Sequence, residues 1–152
     1  MKTRILLVAH ESVLGGLKSL LGVEPDFEVV AAWNDWWKGV TTLTETEVDL
    51  CVMDISRPSM DAELAVRRFK QRHPLLRIVA LVDERDFRRL RLAESGVVTD
   101  HVLRTEIAGE LVPTIRRSLG GISLVRRRFV GALVREQKHL IAAAGAMEMQ
   151  QI

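Results

Sequence analysis

The chain has 152 residues and a mass of 17.1 kDa, enough for one domain with room for an appendage. With 47% hydrophobic and 28% charged residues it can bury a core, which excludes disordered, collagen-like and disulfide-stapled chains. Cys51 is the single cysteine; it has no partner within the chain and sits in an apolar run, so a reducing cytoplasm is expected. No apolar stretch reaches the ~18 residues of a membrane span. The start, MKTRILLVAHES, breaks off at His10–Glu11 too early for a signal peptide. A soluble, intracellular chain without a membrane partner is expected. The net charge of +2 hides an asymmetry: residues 1–112 hold 15 Lys and Arg against 18 Asp and Glu, a net of −3, and residues 113–152 hold 7 against 2, a net of +5. A near-neutral body with a basic tail suggests a module, residues 1–121, followed by an extension, residues 122–152.

Short apolar runs alternate with amphipathic stretches along the body. Ile5–Ala9 is a run rather than an alternation, as expected for a strand buried on both faces. Helical spacing follows over Ser12–Leu21, and Pro25 and Asp26 close the connection to a second run, Phe27–Trp33. A helix over roughly Asp35–Thr44 leads to the third run, Asp49–Ile55, and a helix over Asp61–Arg72 ends before Pro74. The fourth run, Arg77–Val82, precedes a helix over Glu84–Glu94 with Gly96 just past its end, and the fifth, Val98–Leu103, precedes a helix over Glu106–Leu119. Five β–α units predict an α/β fold, a doubly wound five-stranded parallel sheet flanked by helices. Gly120–Gly121 then interrupt the pattern. A last, amphipathic helix is expected over Ile122–Ala144, with Ile122, Val125, Phe129, Leu133 and Leu140 on one face and Arg126, Arg127, Arg128, Arg135 and Lys138 filling much of the rest.

Open parallel sheets bind ligands at the carboxyl ends of their strands, near the switch in strand order. The residues to read are therefore Ala9, His10 and Glu11 after the first strand, Asp54 and Ser56 at the third, Val82 and Asp83 at the fourth, and Arg104 and Thr105 at the fifth. Asp54 stands out. A carboxylate closing VDLCVM, at the end of a buried central strand, does not serve packing.

The stretch VDLCVMDISRPSMDAELAVRRFKQRHPLLRIVAL, with Asp54 ending the strand and Pro58 four residues later, resembles the heart of a response-regulator receiver domain. GVVTDHVLRTEIAGELVPTIRRSLGG is similar to the fifth strand and helix of receivers in LuxR-type transcription regulators. The resemblance covers about residues 3–121 and implies a flavodoxin-like receiver fold with an extra C-terminal helix. It also implies a chemistry. Asp54 matches the position that accepts a phosphoryl group from a phosphohistidine; an acidic pair after strand one would hold Mg²⁺, and a hydroxyl after strand four and a lysine after strand five would grip the phosphoryl oxygens.

Four of those five parts are altered here. The acidic pair falls on Ala9 and His10 in one register and on Val8 and Ala9 in the other, with Glu11 close by. The hydroxyl falls on Val82 and the lysine on Arg104, which keeps the charge with a different donor geometry. The aromatic switch position falls on His101. Loss of one preorganised electrostatic group costs ~3–4 kcal/mol in a reacting site, so a degenerate receiver is expected, with Mg²⁺ binding weak or absent and Arg104 able to pair with Asp54.

The remaining features carry less chemistry. His10 shows no metal-ligand spacing with His73, His101 or His139, so no metal site is expected. Trp33, Trp36 and Trp37 either pack at the sheet edge or form a partner patch. The Arg126–Arg128 run is read as a solvated helix face, with DNA contact left to a missing or separate output domain. The apolar stripe from Ile122 to Leu140 needs cover, and a homodimer supplies it. A non-enzymatic signalling module is expected, acting through protein–protein contacts and dimerisation to control transcription, with a sensor histidine kinase or another signalling protein as partner. The alternatives are a conventional phospho-accepting receiver using Asp54, and a DNA-binding regulator using the basic tail.

Overall fold

The computed structural model describes residues 1–58 and 60–120; the expected helix over Ile122–Ala144, its dimer stripe and the basic tail lie outside the described residues. The elements are β1 (Thr3–Val8), α1 (Glu11–Gly22), β2 (Phe27–Trp33), α2 (Trp36–Glu45), β3 (Leu50–Asp54), α3 (Ala62–Arg72), β4 (Arg77–Val82), α4 (Phe87–Glu94), β5 (Asp100–Leu103), a 3₁₀ turn (Arg104–Glu106) and α5 (Ile107–Leu119). The strands form one parallel sheet in the order β2-β1-β3-β4-β5. The chain moves outward from β1 to β2 and returns to β3, so the switch point lies between β1 and β3.

The apolar runs divide between two cores because successive strand side chains point to opposite faces. Leu6, Val8, Cys51, Met53, Ile78 and Ala80 face α2, α3 and α4 together with Val40, Leu43, Val66 and Phe69. Ile5, Leu7, Leu50, Val52, Val79 and Leu81 face α1 and α5 together with Leu14, Leu17, Leu111 and Ile115. Burial in its apolar face pushes the Cys51 thiol pKa up, which keeps it protonated and inert.

Caps set where the helices begin. Asp35 accepts from the Trp37 amide at 2.9 Å and Asp61 from the Leu64 amide at 3.0 Å, each satisfying a backbone donor that the first turn leaves open. The fourth helix begins at Phe87 rather than at Glu84, because Asp86 is the residue whose carboxylate caps it, at 3.2 Å from the Arg89 amide. The fifth strand begins at Asp100 rather than at Val98. Gly96 turns the chain at φ 90°, and Thr99 reaches β4 partly through its side chain, Oγ1 accepting from the Ile78 amide at 3.1 Å.

One close approach ties α2 to the sheet. A Cβ on Gly39 would lie 2.7 Å from Phe69 Cζ and 3.2 Å from Val8 Cγ2, and both neighbours are fully buried. Gly39→Val must therefore push α2 off its seat, at a cost of ~1–3 kcal/mol; the few tenths gained in helix propensity do not offset it. The expected outcome is a lower urea midpoint with an unchanged slope. A midpoint equal to that of the parent chain contradicts the packing described.

Candidate functional site

Asp54 closes β3 with its carboxylate pointed at the switch point and its side chain only 1% exposed. A carboxylate so placed needs hydrogen-bond donors to offset its lost water. The backbone supplies one, the Ser56 amide to Oδ1 at 3.1 Å. The other comes from fifty residues away. Arg104, in the turn that follows β5, donates from Nη2 to both Asp54 oxygens, at 2.8 Å to Oδ1 and 2.7 Å to Oδ2. One nitrogen bridges both oxygens, unlike the two-nitrogen fork that arginine usually offers a carboxylate. Arg104 Nε is buried and has no partner among the described residues.

His10, Ser12, Val13, Arg57 and Pro58 join Asp54 and Arg104 around a cavity of about 260 Å³. Ala9 is fully buried in the core beneath it and His10 is at the surface. His10 caps α1, its Nδ1 accepting from the Ser12 amide at 3.1 Å, so the neutral ring carries its proton on Nε2. Glu11 is turned aside: Oε1 accepts from Asn34 Nδ2 at 2.9 Å, and it does not line the cavity. Val82 is fully buried at the end of β4. His101 lies half-buried on β5, outside the cavity, its amide donating to Asp100 Oδ1 at 2.8 Å.

Of the residues read from the sequence, the structure thus gathers His10, Asp54 and Arg104, and leaves Glu11, Val82 and His101 aside. Two connections had no signal in residue spacing. Ser56 Oγ accepts from the Asp83 amide at 2.8 Å, joining the loops after β3 and β4. Arg57 reaches across to the Asn34 carbonyl oxygen, joining the loops after β3 and β2. Beside them, Arg85 hydrogen-bonded to Asp83 holds that carboxyl near pKa 2, with the Arg104 charge adding to the effect. The Asp83 contribution to stability is therefore present above the ordinary carboxylate pKa and is lost as pH falls toward 2.

The resemblance implies Mg²⁺, and the residues present do not fit it. A hard cation takes several oxygen ligands, whereas Asp54 is the one carboxylate lining the cavity and both of its oxygens are held by Arg104. Among the described residues no group of three or more His, Cys, Asp or Glu could hold a metal ion.

No family model matches the chain. It is 23% identical over 137 residues to the transcriptional regulatory protein DegU of Brevibacillus brevis, covering 90% of this chain and 58% of that protein. It is 27% identical over 138 residues to the transcriptional regulatory protein LiaR of Bacillus subtilis, covering 90% of this chain and 65% of that one. A two-component response regulator of the LuxR family from Aurantimonas sp. SI85-9A1 superposes with a TM-score of 0.69 at 28% identity, over 80% of this chain and 87% of that structure. The chain has the flavodoxin-like receiver fold, and the relatives it resembles are response regulators. It spans about three fifths of the length of the two curated relatives.

The two members of the ion pair are not equivalent. Breaking a buried pair by removing one partner costs ~3–5 kcal/mol when the other charge is stranded. Arg104→Met strands a carboxylate that is 1% exposed, whereas Asp54→Asn leaves a guanidinium that is 35% exposed and can turn to water. Partial exposure of the pair discounts the first figure to about 2–3 kcal/mol, and the second substitution costs about 1 kcal/mol. Chemical denaturation of the two variants checks this, and equal losses contradict it.

Proposed function

We propose that this receiver domain is atypical: it binds Mg²⁺ weakly or not at all, is poorly phosphorylated or not phosphorylated, and acts through protein–protein contacts to control transcription. The observation that carries the reading is the bridge from Arg104 Nη2 to both oxygens of Asp54, at 2.8 and 2.7 Å. To accept a phosphoryl group, a carboxylate oxygen must attack phosphorus while the bond to the donor's leaving atom breaks, and negative charge gathers on the oxygens around phosphorus. Here the attacking oxygen must first leave Arg104. Val82 brings no hydroxyl to receive the charge, and Ala9 and His10 bring no carboxylates to gather a cation. Arg104 also cancels the Asp54 charge permanently, so the pair does not depend on a kinase to form. The chain is then a cytoplasmic signalling module and not a catalyst. Its relatives are transcriptional regulatory proteins, which supports control of transcription, with DNA contact made by an output domain rather than by this one.

A phospho-accepting receiver is the second reading, favoured by the one feature that Asp54 lines a cavity of about 260 Å³ together with Arg57 and Arg104. Intact mass after treatment with acetyl phosphate and Mg²⁺ separates the two. Our reading predicts no stable adduct and no change on adding beryllofluoride. One phosphoryl group gained by the parent chain and absent from Asp54→Asn contradicts it.

Dimerisation is the second part of the proposal and rests on the sequence stripe Ile122, Val125, Phe129, Leu133 and Leu140. Burying such side chains stabilises by ~1.5–3 kcal/mol each before ordering costs. Sedimentation of the whole chain is expected to show a dimer without phosphorylation, and a version ending at Gly121 a weaker one or a monomer. Two monomers contradict it.

A further inference from the structure

We propose that a groove between α2 and α3 is a docking site for an acidic peptide segment of a protein partner. Trp37, Val40, Arg68, Gln71 and Arg72 line a cavity of about 450 Å³ on this face. The three tryptophans of this region divide by role. Trp33 is half-buried and donates from Nε1 to Thr42 Oγ1 at 2.9 Å, and Trp36 packs against the core. Trp37 does neither. It is 54% exposed, stacked on Trp36 at 4.2 Å between ring centroids, and its indole N–H has no partner among the described residues. The stack holds the ring flat and in place, so little side-chain freedom remains to be lost on binding.

The groove's charge is one-signed. Arg68 and Arg72 are exposed and lie on the same face, four residues apart on α3. Arg68 Nη1 donates to Gln71 Oε1 at 3.3 Å, which orients the guanidinium without neutralising it. Neither arginine forms an ion pair among the described residues, and no carboxylate lines the groove. Glu63, on the same helix, is engaged by Arg67 instead. The groove therefore offers donors and positive charge around an aromatic platform and an apolar floor at Val40. Its complement is a short segment of Asp and Glu carrying an apolar or aromatic side chain that lies against Trp37. Tryptophan and arginine are the residues on which binding energy most often concentrates.

Charge favours a peptide over a nucleic acid. Nucleic-acid binding grows with the number of phosphates neutralised along a basic surface, and residues 1–120 hold 17 Lys and Arg against 18 Asp and Glu, a net of −1. Two arginines beside one tryptophan give a local positive site on a near-neutral body, enough for a short acidic segment and too few for a long polyanion. The groove shares no residue with the Asp54 cavity.

The test uses the whole chain and three fluorescein-labelled probes: a capped peptide alternating Glu with Phe and Leu, the same peptide with Lys for Glu, and a thymidine oligonucleotide of equal charge. Fluorescence anisotropy should saturate with the acidic peptide alone and weaken as salt rises. Trp37→Ala, and separately the double substitution Arg68→Glu and Arg72→Glu, should each weaken binding about tenfold or more. All three positions are exposed, and an unchanged circular dichroism melt confirms the fold of each variant. No saturation up to ~1 mM, a free energy near the weak end of measurable binding, overturns the proposal. So do equal affinities in the variants or tighter binding of the oligonucleotide.

Discussion

A carboxylate buried at the end of a central strand constrains everything around it. Asp54 has almost no contact with water, and an isolated charge in that position costs several kcal/mol. The sheet resolves this from two strands away. Asp54 lies level with Leu81 on β4 and Leu81 with Val102 on β5, so Arg104 emerges two residues beyond the level of the carboxylate and about 9–10 Å to its side, two strand spacings. A long side chain is needed to close that gap, and Arg104 closes it across a fully buried Val82. The ion pair thus spans β3, β4 and β5, whose register the backbone ladders set. The Ser56 bonds to Asp54 and Asp83 hold the intervening loops to the same point.

The same arrangement limits the chemistry. An arginine donates hydrogen bonds and charge, and it neither ligates a cation nor gives up a proton. With His10 capping α1 and Glu11 bonded to Asn34, neither brings a carboxylate ligand to the small cavity beside Asp54. What remains free for recognition is surface. Trp37 with Arg68 and Arg72 on the α2–α3 face is one such surface, built on a different core from the α1 and α5 side.

How much of this could be read from the sequence depended on the length scale. Among the five runs, Ile5–Ala9 and Leu50–Met53 were the most legible as strands because burial on both faces leaves no polar position inside them. Phe27–Trp33 and Arg77–Val82 hold with those bounds. Caps were less legible: Glu84, Arg85 and Asp86 form a polar stretch in which only geometry selects Asp86. At the site, the pairing of Arg104 with Asp54 was readable because the resemblance puts a cation at Arg104 and an acid at Asp54. The one-nitrogen bridge, the Ser56–Asp83 bond and the turning away of Glu11 were not, since each depends on loop geometry that residue identity does not encode. Among the tryptophans the sequence offered one choice for all three, and the structure assigns Trp33 and Trp36 to packing and Trp37 to the surface.

The central claim is that Arg104 occupies the Asp54 carboxylate in the resting chain and that no cation competes for it. Nitrogen-detected NMR of the arginine guanidinium groups, with Arg104→Lys for assignment, addresses it directly. The account predicts Arg104 Nη resonances that are individually resolved and protected from exchange, unlike those of exposed Arg72, and unmoved by millimolar Mg²⁺. Averaged, rapidly exchanging Arg104 resonances, or their release on adding Mg²⁺, would contradict it.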